Sequence, residues 1–118
     1  MCLLAVLLAP TVLSAQTLHG TWCGGGETLH LDAFGVGANE QTICGASPPP
    51  PEAGVTYTAT LSCKNVYPGA QNADGTFEVI EVPLENGPTR ITAMLTEGGQ
   101  LSVLFDTASA AKLLDRCD

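Results

Sequence analysis

Val55-Thr-Tyr-Thr-Ala-Thr-Leu-Ser-Cys63 alternates strictly, with Val55, Tyr57, Ala59, Leu61 and Cys63 on one side of an extended chain and a row of Thr and Ser on the other. Successive side chains of a strand point to opposite faces, so this pattern specifies a half-buried β-strand. The same period recurs on both sides of it. Upstream, Glu27-Thr-Leu-His-Leu-Asp-Ala-Phe34 sets Leu29 and Leu31 against Thr28, His30 and Asp32. Downstream, Ile91, Ala93 and Leu95 form one apolar face, and Leu101, Val103 and Phe105 form another. In a fifth segment Phe77, Val79 and Glu81 alternate with Glu78, Ile80 and Val82, so either face could be the inward one. Gly24-Gly-Gly26, Gly35 to Gly37, Asp74-Gly75, Asn86-Gly87-Pro88 and Gly98-Gly99 supply turn chemistry between the runs.

Two segments fall outside this rhythm. Ser47-Pro-Pro-Pro-Pro51 cannot donate to a sheet ladder, so residues 46–54 are expected as a surface connection between two halves of the sheet. Ser109 could cap a short helix through Asp115, but a closing edge strand ending at Cys117 fits the same residues. The fold class expected is therefore all-β: a small antiparallel β-barrel or a flattened β-sandwich.

Domain bounds follow from the N-terminal stretch. Leu3 to Leu13 is an apolar run broken only by Pro10 and Thr11, followed by Ser14, Ala15 and Gln16, which is the layout of a signal-peptide core and its cleavage site. A run this short cannot span a bilayer as a helix. Residues 1–15 are thus expected as a signal peptide and 16–118 as a single β-domain. Cys2 precedes the apolar run, so it cannot be the acylated cysteine of a lipoprotein. Cleavage would leave Cys23, Cys44, Cys63 and Cys117, an even set in an exported chain, which predicts two disulfides. Of the three pairings, Cys23 with Cys44 and Cys63 with Cys117 is favoured, because the first would close a local strand pair and the second would tie the last residues to the middle. A zinc site would need closer cysteine spacing than these residues have.

Charge excludes several function classes. The 118 residues carry 12 Asp+Glu against 4 Lys+Arg, a formal net charge of -8. Lys64, Arg90, Lys112 and Arg116 are too few and too scattered to neutralise a phosphate backbone or an anionic membrane surface. Nucleic acid and membrane insertion after signal cleavage are therefore not expected.

Gly20-Thr-Trp22 near the start, with Arg116 in Leu-Leu-Asp-Arg-Cys117 near the end, resembles the calycin pattern of lipocalins and of small bacterial metalloprotease inhibitors. There a Gly-x-Trp opens the first strand and a late basic residue packs on the Trp face. The resemblance implies barrel closure by Gly20, Trp22 and Arg116, a guanidinium being attracted to the indole ring. The otherwise available role for Trp22 and Arg116 is that of ordinary core and edge residues. More of the chain resembles small exported proteobacterial proteins of unassigned activity that open with Gly-x-Trp, carry several cysteines and end in Arg-Cys.

Catalytic parts are scarce. His19 and His30 are the only histidine bases, and a set drawn from Ser62, His30 and Asp32 lacks any nucleophile-elbow motif. Glu27, His30 and Asp32, with Glu40 nearby, are the candidates for a divalent metal, set against the commoner role of a solvated strand side. Asn72, Asp74, Gly75 and Glu81 fall on calcium-loop positions, but Ala70 replaces the first carboxylate, and a hairpin turn is the better account. No catalytic residue and no cofactor are expected. The function expected is a non-catalytic binding module of the bacterial cell envelope, periplasmic or secreted, whose partner is another envelope protein. The alternatives are a periplasmic inhibitor of a protease or other hydrolase, presenting Gln16 to His19 or a glycine loop, and a small-molecule carrier, against which the size of the barrel counts.

Overall fold

The computed structural model describes residues 17–117. The signal peptide expected at residues 1–15, with Cys2, lies outside them. The described chain is all strand and turn: β1 (Gly20–Gly24), β2 (Glu27–Asp32), β3 (Gly35–Ala38), β4 (Thr42–Ser47), β5 (Thr56–Gln71), β6 (Phe77–Pro83), β7 (Arg90–Leu95), β8 (Leu101–Phe105) and β9 (Lys112–Arg116).

Eight of these strands close an antiparallel barrel. Each pairs with its neighbour in the order β1, β2, β3, β4, β5, β7, β8, β9, and β9 returns to β1. Closure removes the unpaired edges that an open sheet would expose. Of the two expected architectures, the structure is the barrel. Its interior follows the sequence alternation: Leu29, Leu31, Tyr57, Ala59, Leu61, Ile91, Ala93, Leu95, Leu101 and Val103 are all buried, and among the described residues no polar or charged residue is buried with them. Val55 departs from its pattern; it precedes β5 and is exposed.

Three expected boundaries change. Gly35 to Gly37 is strand, not turn: β3 pairs with both β2 and β4. Gly35, at φ +148°, lies so close to the Cys44 carbonyl that a side chain there would collide with backbone. Its glycine therefore belongs to close strand packing. Residues 46–47 belong to β4, and the proline segment that follows joins two adjacent strands rather than two halves of the sheet. Residues 112–116 form β9, so the closing strand, not the helix, is what the chain adopts.

The disulfides correct the favoured pairing: Cys44 bonds Cys63, and Cys23 bonds Cys117. The register is the reason. Cys44 faces Cys63 directly across β4 and β5, with Cα atoms 4.0 Å apart. Cys23 has β2 and β3 between it and β4, and its other neighbour is β9. There Cys23 faces Asp115, which sets Cys117 on the diagonal at a Cα separation of 5.3 Å. Once β3 is recognised as a strand, a local Cys23–Cys44 bridge becomes geometrically unreachable.

β5 is the strand that outgrows the barrel. Residues up to Asn65 pair with β4, while Lys64 to Gln71 pair with β6 to make a two-stranded arm beyond the barrel rim. Its tip is the Asn72–Thr76 turn, where Asp74 accepts hydrogen bonds from the Thr76 amide and hydroxyl. This is the hairpin expected in place of a calcium loop. A register shift between Pro68 and Gln71 accommodates the proline in the arm. Every residue of β6 is exposed, so neither of its alternating faces turns out to be inward.

Candidate functional site

The barrel has two unlike ends. At the first, the N-terminal segment folds back as a plug. Leu18 and Trp22 are both fully buried, and the Trp22 indole Nε1 donates to the Leu18 carbonyl at 3.0 Å. Trp22 faces Arg116 across β1 and β9, and the guanidinium carbon stands 4.3 Å from the indole ring centre. From there Arg116 donates to the carbonyls of His19 (3.2 Å) and Thr17. Gly20, at φ +140°, leaves room for this fork, since a Cβ would lie 2.6 Å from Arg116 Nη1. The His19 ring Nε2 donates to Pro50 O at 2.7 Å, and Tyr57 donates to Pro48 O at 2.6 Å, so the proline segment is laced to the same end.

Arg116→Ala should therefore lower stability by about 1–2 kcal/mol, since it removes the ring stack and two charge-assisted bonds at a solvent-exposed position. Arg116→Lys should recover little of this, because an ammonium has no planar fork. Urea midpoints of the two variants against wild type measure the difference.

The second end is open. Between the rims of β1–β2, β3–β4 and β8–β9 lies a cavity of about 320 Å³. Leu29, Val36, Cys44, Val103, Phe105 and Leu114 line it with apolar surface. Glu27 and Lys112 form an ion pair at its lip, with Lys112 Nζ 2.6 Å from both carboxylate oxygens. Both side chains are about half exposed, so the pair adds little stability; its effect is to place polar groups around an apolar opening. Asp106 fastens the same rim. It accepts from the Thr89 and Arg90 amides and from the Thr89 hydroxyl, anchoring the return of the arm to β7.

Proton binding should reveal these contacts. The Thr89 hydroxyl, then the Thr89 amide, hold the Asp106 carboxyl below the usual carboxylate range, and the Thr76 hydroxyl and amide do the same for Asp74. A depressed folded-state value stabilises the fold above the unfolded value and is lost as pH falls through the folded one. Stability should thus decline below a pH of about 4. Burial pushes the Tyr57 phenol up to about 12 from 10.0, so stability should also fall as pH rises from 10.0 towards 12. Urea midpoints measured across this range check both limbs, and Asp106→Asn should flatten the acid one.

The metal candidates are not brought together. Glu27 is engaged by Lys112, the His30 Nδ1 shares a hydrogen bond with Thr21 Oγ1 at 2.9 Å, and the Asp32 carboxylate accepts from the Phe34 and Gly35 amides. Among the described residues no group of three or more His, Cys, Asp or Glu is placed to hold an ion. Ser62 sits on β5, with β3 and β4 between it and His30 and Asp32 on β2. Leu18, Lys112 and the arm were missed in the sequence. Leu18 is an isolated leucine with no pattern around it. Lys112 could have been found from its place on the same alternation as Leu114 and Arg116.

These features define a small antiparallel β-barrel, stapled by two cross-strand disulfides, sealed at one end and open at the other. No family model, curated protein or solved structure matches the chain. The disulfides fit an oxidising setting outside the cytoplasm. Among the described residues no helix is long and apolar enough to cross a membrane.

Proposed function

We propose that the protein is a non-catalytic binding module of the bacterial cell envelope, periplasmic or secreted, whose partner is another envelope protein. The asymmetry of the barrel ends carries this reading. One end is occupied by the chain's own Leu18, while the other presents an unfilled apolar cavity rimmed by polar groups. A stapled scaffold with a preformed recess loses little entropy on binding. Small-molecule carriage is the second reading, favoured by the same cavity, whose volume of about 320 Å³ falls at the small end of ligand sites. A hydrolase inhibitor would need a surface other than residues 17–19, because Leu18 is buried and Arg116 holds the carbonyls on either side of it.

The test is occupancy of the mouth. Native mass spectrometry of protein recovered from envelope extract should show a bound protein or small molecule. In purified protein the neutral apolar dye N-phenyl-1-naphthylamine should brighten on binding, and Ala38→Phe, which fills the mouth from its rim, should abolish the signal. Absence of dye binding by the folded wild type would count against the mouth as a site. Turnover of any hydrolase substrate that disappears with His30→Ala would overturn the non-catalytic reading.

A further inference from the structure

We infer that β6 is a docking edge to which an extended segment of a partner protein, alternating apolar and basic residues, adds as a further strand. The barrel closes through β4 and β5, which leaves β6 as the outer strand of the sheet. Its unshared backbone edge is a template for strand addition. Side chains argue the same way. Phe77, Val79, Ile80 and Val82 are 56%, 67%, 47% and 46% exposed, yet β6 covers no core. Apolar residues on both faces are what a central strand carries. β6 has the side chains of such a strand and a neighbour on only one side.

Charge selects the partner. Asp74, Glu78, Glu81 and Glu85 stand on the arm and its return, against Lys64 as the one cation of that segment. Lys64 is already paired with Glu81 at 2.8 Å, so Glu78 and Glu85 set the sign met by an incoming strand. Acidic residues on an edge discourage pairing with a second copy and favour Lys or Arg opposite them. The inference rests on the binding-module reading but not on the mouth, since β6 takes no part in lining the cavity.

The experiment titrates the full chain, at low salt, with three labelled peptides followed by fluorescence anisotropy: acetyl-Lys-Val-Lys-Val-Lys-Val-Lys-Val-amide, the same peptide N-methylated at every residue so that both edges are blocked, and the version with Glu in place of Lys. The first should bind. The N-methylated peptide keeps charge and apolar content but cannot continue a ladder, and should bind at least about tenfold more weakly. The Glu peptide should also be weaker by about tenfold, and the variant Glu78→Lys/Glu85→Lys should reverse the preference between the two charges. Equal binding of the N-methylated peptide would overturn strand addition. So would exclusion of all three peptides by self-association in the ultracentrifuge, which would give the edge to a second copy. Dye binding at the mouth, read in the same samples, separates the cases: with it intact only the edge proposal fails, and with it absent the binding-module reading fails as well.

Discussion

Protein carrying Cys23→Ser and Cys117→Ser together should lose about 4–5 kcal/mol of stability, close to the whole margin of a small domain. The bridge closes a loop with a sequence separation of 94, against 19 for Cys44–Cys63. In the chain-entropy account the longer loop constrains the unfolded state more, and the shorter bridge should contribute about 3 kcal/mol. Urea titrations of the two double-serine variants would read the difference. A smaller effect for the Cys23/Cys117 pair than for the Cys44/Cys63 pair would mean that loop length does not set the order. Non-reducing peptide mapping provides the complementary check, and a fragment linking Cys23 to Cys44 would contradict the structure.

Trp22→Ala should cost about 3–5 kcal/mol. Trp22 is fully buried, and truncation leaves a cavity at the sealed end that Leu18 alone cannot refill. The Leu18 carbonyl loses its donor, and Arg116 loses the ring beneath it. Trp22→Phe should recover most of the packing but not the hydrogen bond, falling about 1–2 kcal/mol short of wild type. Because Arg116 stands next to Cys117, the Trp22 and Cys23/Cys117 changes should be non-additive in a double-mutant cycle. Strict additivity would show that the stack and the staple act independently.

How much of this could be read in advance depended on side-chain size. In β2, β7, β8 and the first half of β5, the buried sets follow the alternation, except that Val55 is exposed and Cys63 and Phe105 are only half-buried. β3 is Gly-Val-Gly-Ala and β4 is Thr-Ile-Cys-Gly-Ala-Ser, where small side chains carry almost no period and glycine imitates a turn. The consequence reaches the disulfides: without β3 the cysteine on β4 reads as local to β1, which favours the wrong bridge. β6 was ambiguous for a different reason, since its alternation describes a strand with two exposed faces and no core to choose between them. The lip of the open end was out of reach altogether. Glu27 and Lys112 are 85 residues apart, and only the closure of β9 onto β1 brings them together.

That closure sets an order of events for the folding chain. The seam of the barrel joins the first described strand to the last, so a growing chain can form the β2–β3–β4 meander but cannot make a closed wall until β9 has been delivered. Contacts this distant along the chain are reached late and slowly, because loop closure precedes any gain from pairing. The protein is thus built to remain unfinished until its final strand arrives. With β9 in register on β1, Cys23 and Cys117 stand 5.3 Å apart at Cα, so native pairing of the seam itself places these two thiols where a bridge can close.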